Sequence, residues 1–358
     1  MGPVFIDRIE ARNYGCLHDV KLDLTPLHAF VGPNDSGKST ILRAARVLAE
    51  ILQQTEKANQ FPEIKNSGIE LERSPRLFAK LGPLSVEFEG KSHLQWLETF
   101  NIGTRNVSVQ GAGTISGASI RHTQEAAFLK ELQGVGPIFG GPLVLRLDPD
   151  ELRKESELIP RQQPVTFDGE RGHRLAGIYD AINNRGDGSF AQISEQVRRL
   201  FPTTRNIRLD NITKGTKALE IELIDGTIVP AKFMSEGLLY YLAFAAIQYL
   251  ERPAVILVEE PENGLHPIRV AQVMRIFREI SKTTQVIVAT HSPLVVNELG
   301  PEEVSVVTRD REKGTSVRRL SSAANLADRS KIYALGELWL SYANGIDENA
   351  LFNAQRSP

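Results

Sequence analysis

One cysteine, Cys16, stands in a chain of 358 residues. No internal disulfide can form from it, and a reducing cytoplasm is the expected setting. Neither sign of charge is in excess: 42 Lys and Arg face 44 Asp and Glu. That balance removes a global polycation as the route to nucleic acid and leaves only local basic faces. Long apolar runs are missing as well. The most apolar stretch, GLLYYLAFAAIQYL (237–250), falls short of the ~20 residues a bilayer helix needs. It is predicted to be a buried helix, and no membrane partner is expected. The first residues, MGPVFIDRIE, carry an early acid and no long apolar core, so no export signal is expected. No repeat of fixed period and no sustained heptads occur, so neither a solenoid nor a long coiled-coil arm is expected. The remainder is ordinary: 41% hydrophobic and 24% charged, enough for one large domain or two smaller ones with a real core.

The pattern opens with strand-like alternation in VFIDRIEARN, VKLDL and HAFV (28–31), then a glycine-bearing loop and the helical ILRAARVLAEILQQ. Residues 55–135 are less regular, with a predicted strand in LSVEFEG and a loop or ribbon in VQGAGTISGAS. A helix is predicted in FAQISEQVRRLF (190–201), and a hairpin in KALEIELIDGTIVPAKF, with Asp225-Gly226 as its turn. From there to about residue 307 helices alternate with strands. AVILVEE, TQVIVAT and EVSVVT are nearly continuous β-branched runs, as parallel strands covered on both faces require. The last 35 or so residues read as helical, with LGELWLSYA the clearest amphipathic piece.

Chemistry enters at GPNDSGKS, Gly32 to Ser39. The stretch fits G-x-x-x-x-G-K-[ST] between a strand and a helix, the pattern of a phosphate loop. Glycines let successive backbone N–H groups turn toward phosphate oxygens, and the helix beginning near Lys38 adds its positive dipole end. Gly32, Pro33, Asn34, Asp35, Ser36 and Gly37 form the wrap. Lys38 is predicted to reach the β and γ phosphates, Ser39 to ligate Mg²⁺, and Thr40 to meet the α phosphate. The bland alternative is a glycine-rich turn. Where the apolar run AVILV ends, Glu259 and Glu260 surface together. In a phosphate-loop enzyme the first would hold Mg²⁺ and the second would polarise the attacking water; otherwise they are an acidic pair capping a loop. Glu262, one turn away, is a weaker candidate for the same work and is read first as structural. One strand later, VIVATHSP delivers His291, placed to donate a hydrogen bond to the γ phosphate, though a lone histidine is more often structural. His266 is read as a structural or dimer-contact residue.

With these motifs assembled, the chain resembles the ATP-binding-cassette ATPases of the RecF, structural-maintenance-of-chromosomes and overcoming-lysogenization-defect group. The resemblance rests on IDRIEARNYGCLHDVKLDL before the phosphate loop, EEPENGLHP, THSP and MSEG (234–237), and covers residues 1–50 and 230–310, about half of the chain. It implies an α/β phosphate-loop fold, the head of such an ATPase: a mixed sheet, an amino-terminal antiparallel β part, and a helical lobe inserted between the loop and the signature. Within a single ATPase domain (1–358), the expected boundaries are about 1–90 and 250–320 for the first lobe and 91–249 for the inserted one, with carboxy-terminal helices over 321–358.

It also implies ATP and Mg²⁺ as ligands, hydrolysis to ADP and phosphate, and a head-to-tail homodimer formed on ATP. In that dimer Ser235 and Gly237 would bind the γ phosphate of ATP held by a second chain; without the family, MSEG would be a helix N-cap. Asn13 aligns with a nucleotide-side position. DNA is the family expectation, in repair, recombination or phage defence. Control of a separately encoded effector such as a nuclease is the alternative, and a transporter's nucleotide-binding subunit a more distant one. Glu259 stands where many relatives have aspartate, and no glutamine loop is evident after LSVEFEG. The 67 residues after His291 (358 − 291) are too few for the nuclease domain some relatives carry, so TRDREKG (308–314) is read as a turn between two strands. Residues 198–217, with six basic residues and one acid, are a candidate phosphate-contacting face, or else a solvated helix end and exposed strand.

Overall fold

The computed structural model describes residues 5–58, 76–81, 84–90, 95–102, 105–112, 141–310, 314–323, 334–337 and 339. Strands β1 (Arg8–Tyr14), β2 (Leu17–Asp23) and β3 (Leu27–Val31) lead into helix α1 (Lys38–Ala58). Four strands follow: β4 (Arg76–Leu81), β5 (Leu84–Gly90), β6 (Gln95–Ile102) and β7 (Arg105–Ala112). Next come β8 (Leu143–Leu145), α2 (Pro149–Leu152), β9 (Ser156–Glu157), α3 (Leu175–Asn184) and α4 (Ser189–Leu200). After them stand β10 (Thr204–Asn211), β11 (Thr216–Leu223), β12 (Ile228–Pro230) and α5 (Glu236–Ala246). The last elements are β13 (Val255–Glu259), α6 (Pro267–Ser281), β14 (Gln285–Thr290), α7 (Pro293–Asn297), β15 (Val304–Asp310) and β16 (Gly314–Arg319).

Two compact units result. The first comprises Met1–Leu143, Pro253–Leu257 and Ser281–Pro358; the second comprises Val144–Arg252 and Val258–Ile280. In the first unit an antiparallel sheet runs β2-β1-β4-β5-β6-β7, so the first two strands predicted before the loop and the one in LSVEFEG belong to one sheet, while HAFV lies in β3 of the other. The other sheet is ordered β16-β15-β3-β14-β13-β8. Strand β3 lies parallel to both β14 and β15, while β15 and β16 form an antiparallel hairpin. The sheet is therefore mixed. All five residues of β3 and all six of β14 are buried, as largely apolar strands covered on both faces should be. The polar exceptions, His28, Gln285 and Thr290, are buried with hydrogen-bond partners. The turn read at 308–314 is shorter than expected: Thr308–Asp310 still belong to β15 and Gly314 opens β16, which pair as a hairpin, and 311–313 lie outside the described residues.

In the second unit, β10-β11-β12 form an antiparallel sheet with β9 on β11, and Gly226 at φ 85° makes the predicted hairpin turn. Helix α5 buries every residue from Gly237 to Ala246. Its ring at Phe244 meets Phe277 of α6 edge-on at 5.4 Å, a geometry that suits the aromatic quadrupoles. The run GLLYYLAFAA is thus an all-round buried helix. Of the carboxy-terminal helical expectation, Leu335–Glu337 and Trp339 are helical, Leu320–Ser322 form a 3-10 turn, and Ala323 and Ala334 are not helical; the rest, like residues 113–119 of the glycine-rich segment, lies outside the described residues.

One buried group in β3 gives the first unit an acid sensitivity. His28 is fully buried between Thr25 and Ser305. Thr25 spends its hydroxyl proton on the Leu27 carbonyl at 2.5 Å. Thr25 must then accept from His28 Nδ1–H at 3.1 Å, leaving Nε2 to accept from the Ser305 hydroxyl at 2.9 Å. Burial, and then the Arg319 charge, pull the imidazole down to about 3, against a smaller opposing effect of Asp23. Above the unfolded value of about 6.5 neither state holds the proton. Below it the unfolded chain binds a proton that the folded one refuses, so stability falls as pH drops from there toward 3. Urea unfolding at pH 5 is expected to show about 2 kcal/mol less stability from this residue than at pH 7. The difference should disappear in His28→Gln.

Candidate nucleotide-binding site

The loop between β3 and α1 has the shape its residues predict. Ser36 N–H donates to the Pro33 carbonyl at 3.3 Å, closing a turn, and Ile41 N–H donates to the Gly37 carbonyl at 3.0 Å as the helix begins. Asp35 sits at φ 64° and Gly37 at φ 109°, both at positive φ in the left-handed half of the map, so the chain coils tightly. Gly32 is required sterically: a methyl there would lie 2.2 Å from the Val307 carbonyl oxygen. Lys38 is buried, and its ammonium donates to the carbonyls of Gly32 and Pro33 at 2.7 Å each. The first turn of α1 carries no acid, so nothing offsets the positive end of the helix dipole. Ser39, Pro33, Asn34 and Asp35 are exposed and Thr40 is half-buried.

The turn after β1 closes over the start of α1. Cys16 Sγ–H reaches Thr40 Oγ1 at 3.5 Å, and a methyl at Gly15 would meet Thr40 Cγ2 at 3.1 Å. Asn13, two residues earlier, has φ 52°, a conformation that asparagine tolerates better than most residues. On the other side of β3, Thr290 pairs in register with Val31. His291 therefore leaves its strand level with Gly32, one strand spacing away, about 4.8 Å. Its neighbours are fixed: Ser292 N–H donates to Thr290 Oγ1, and Ser292 Oγ accepts from Leu294 N–H. His291 itself is exposed. The first unit thus brings together loop 32–40, the Asn13 turn and His291.

The second unit holds Glu259, Glu260, Ser235 and Gly237. Glu259 ends β13 with Arg146 Nε 3.8 Å from its carboxylate. The arginine side chain is 76% exposed, so this is a loose pair that a cation can displace. Glu260 adopts φ 47°, an uncommon conformation for a non-glycine residue and one that clusters at functional sites. Asn263 pins it twice: its side-chain amide donates to Glu260 Oε2 at 2.8 Å, and its N–H donates to the Glu260 carbonyl at 3.1 Å. The turn continues through Gly264, where a methyl would strike the Tyr240 ring at 2.7 Å. A methyl at Gly237 would lie 2.8 Å from the Gly264 carbonyl oxygen. The two glycines let α5 press on the turn that carries Glu260. Burial, and then the Glu236 carboxylate, push the Tyr240 phenol above its ordinary value, so it stays neutral there.

Ser235 is the N-cap residue of α5 by position, with φ −64° and ψ 146°, yet its side chain makes no capping bond. The capping job expected of it is not done, and the residue is exposed. His266 is exposed and only its carbonyl is engaged in starting α6. Sequence reading missed Asn263 and Arg146. The Asn-Gly pair at 263–264 was the available signal for the first; nothing local marks the second.

Residues 27–297 match the family described as "AAA domain, putative AbiEii toxin, Type IV TA system", from the first residue of β3 to the last of α7. The chain belongs to this family. It is also 23% identical over 352 residues to the OLD nuclease of Thermus scotoductus, covering 86% of this chain and 62% of that one. The chain thus spans about three fifths of that relative's length. Among solved structures it resembles an Smc head bound to the C-terminal winged-helix domain of ScpA, with TM-score 0.54, 17% identity, and coverage of 88% and 97% of the two chains. It likewise resembles the Smc head with an extended coiled coil bound to the C-terminal domain of ScpA from Pyrococcus furiosus, with TM-score 0.55, 14% identity, and coverage of 92% and 100%. The fold is that of an Smc-like head in the phosphate-loop ATPase class. No helix among the described residues is long and apolar enough to cross a membrane.

Proposed function

We propose that this family member is an ATP-driven switch that hydrolyses ATP to ADP and phosphate and changes its self-association with the bound nucleotide. The observation that carries the reading is the loop itself: a buried strand, a coil with two left-handed residues, and a buried lysine whose ammonium lies against loop carbonyls at 2.7 Å. In this reading residues 32–37 wrap the triphosphate, Lys38 exchanges those carbonyls for β- and γ-phosphate oxygens, and Thr40 meets the α phosphate. The exposed Ser39 hydroxyl and the Glu259 carboxylate would hold Mg²⁺, both being oxygen donors of the kind that ion takes. Mg²⁺ supplies charge neutralisation on the phosphates when bound. Glu260 orients a water and accepts its proton as the oxygen attacks the γ phosphorus and the bond to the β–γ bridging oxygen breaks. His291 donates to the γ phosphate, and Asn13 lies on the nucleotide side.

Ser235 and Gly237 complete the site from a second copy of the chain, head to tail. The exposed Ser235 hydroxyl, spent on no cap of its own helix, supports this role. Sedimentation of the full chain tests it: a shift from monomer to dimer is expected with ATP and Mg²⁺ together. A species unchanged by nucleotide, in a protein that still turns ATP over, would remove the dimer.

The reading leaves the output as DNA or a DNA-processing effector. One observation favours the effector. Of the six basic residues in 198–217, Arg198 and Arg199 pair with Glu195, Arg205 and Arg208 with Glu222, and Lys217 with Asp180. The local excess is largely compensated from outside the segment, so few counterions would be released on meeting phosphates. Neutralising Arg198, Arg199 and Arg205 is expected to leave any salt-dependent DNA binding nearly unchanged. A marked fall in affinity would return this face to DNA.

A further inference from the structure

The back of the phosphate loop is held by a hairpin that the loop's own motif does not announce. In β16, Thr315 is buried; its hydroxyl donates to the Ser36 carbonyl at 2.9 Å, and its N–H donates to the Cys16 carbonyl at 3.2 Å. Its register partner across the hairpin, Arg309 of β15, donates from Nη1 to the Asp35 carbonyl at 3.3 Å. Two consecutive carbonyls of the loop are therefore drawn toward the same pair of strands. The approach is close: a methyl at Gly37 would lie 2.6 Å from Thr315 Oγ1 and 3.0 Å from Cys16 Sγ.

A trans peptide sets its C=O and N–H in opposite directions, and none of the peptide bonds is cis. Holding the Ser36 carbonyl against β16 thus turns the Gly37 N–H away from the hairpin. The Ser36 hydroxyl is buried without a hydrogen-bond partner, and a methyl at Gly32 would lie 2.9 Å from it. Both polar groups are arranged for an acceptor that the protein does not itself supply. We propose that Thr315 is a positioning residue of the nucleotide site: through the Ser36 carbonyl, its hydroxyl aims the Gly37 N–H at the polyphosphate of a nucleoside triphosphate. Arg309 adds a weaker, exposed hold on the preceding peptide. The proposal rests on the reading of loop 32–39 as a triphosphate cradle.

The experiment measures the affinity of the full chain for a fluorescent non-hydrolysable ATP analogue with Mg²⁺, alongside melting temperature. Thr315→Val keeps size and strand preference but removes the donor; it is expected to bind about five- to tenfold more weakly, the worth of one hydrogen bond. Thr315→Ser keeps the hydroxyl and is expected to stay within about twofold of the parent, with Arg309→Met weaker by about twofold to threefold. Parental affinity in Thr315→Val overturns the proposal. So does Thr315→Ser binding as weakly as Thr315→Val, because packing rather than the hydroxyl would then be responsible. Should Thr315→Val fail to fold, unchanged affinity in a folded Arg309→Met overturns the clamp and weaker binding supports it. If the parent does not bind the analogue, the cradle reading itself falls and takes this proposal with it. If the parent binds and Thr315→Val is unaffected, the cradle stands and the clamp alone is lost.

Discussion

Glu260→Gln is expected to lower ATP turnover by about 10²–10⁴-fold, the usual contribution of a positioned base, while ATP still binds and the dimer persists. The substitution is a clean one at this position. Asn263 donates to Glu260 through its side-chain amide at 2.8 Å, and the glutamine carbonyl oxygen can accept that bond in place of the carboxylate. The backbone bond from Asn263 to the Glu260 carbonyl and the φ of 47° do not depend on the side-chain charge. What glutamine cannot do is take a proton from water at neutral pH. Chemistry should therefore be lost without the turn. The readouts are phosphate release, analogue affinity and sedimentation with ATP and Mg²⁺, where the variant is expected to accumulate as dimer because the step that releases it has stopped. Turnover near that of the parent would take the base away from Glu260. Loss of both turnover and analogue binding would instead mark the residue as a support of the turn.

The phosphate loop was legible from sequence because its ligand imposes residue types locally: glycines where a side chain has no room, a lysine at a fixed place, a helix directly after. Gly32 against the Val307 carbonyl oxygen shows how little freedom that leaves. The β-branched runs were equally plain, since strands buried on both faces are mostly apolar, and their few polar residues, such as His28 and Gln285, need partners. The 198–217 stretch was harder, because its compensating acids lie outside it. Glu195 stands three and four residues before its arginines on α4, and Glu222 faces β10 from β11. Ser235 was readable as a cap by position but not by use, since serine marks helix starts whether or not its hydroxyl bonds to them. Thr315 was out of reach altogether. Its contact spans 279 residues of chain, and a threonine in a strand has an adequate local explanation in β propensity.

Lys38→Ala carries the other large effect, an expected loss of triphosphate affinity of about 10²-fold or more, as removal of one or two charge-assisted hydrogen bonds requires. Only 7% of Lys38 is exposed, and an ammonium buried to that degree needs acceptors. It has the carbonyls of Gly32 and Pro33, which are neutral dipoles. Phosphate oxygens carry full charge and make shorter, stronger bonds to an ammonium, so the exchange runs in favour of the ligand. Alanine ends both arrangements at once, and the two losses separate in different measurements. Analogue affinity reports the phosphate contact. Melting temperature reports the carbonyl contacts, expected to be worth about 1 kcal/mol, the usual net contribution of such bonds. Lys38→Arg is expected to rescue little. Its planar fork matches paired oxygens of one acceptor group, whereas this ammonium sits between carbonyls of successive residues. Undiminished affinity in Lys38→Ala would mean that the loop holds no triphosphate, and the Mg²⁺, water and dimer roles assigned around it would have no substrate to act on.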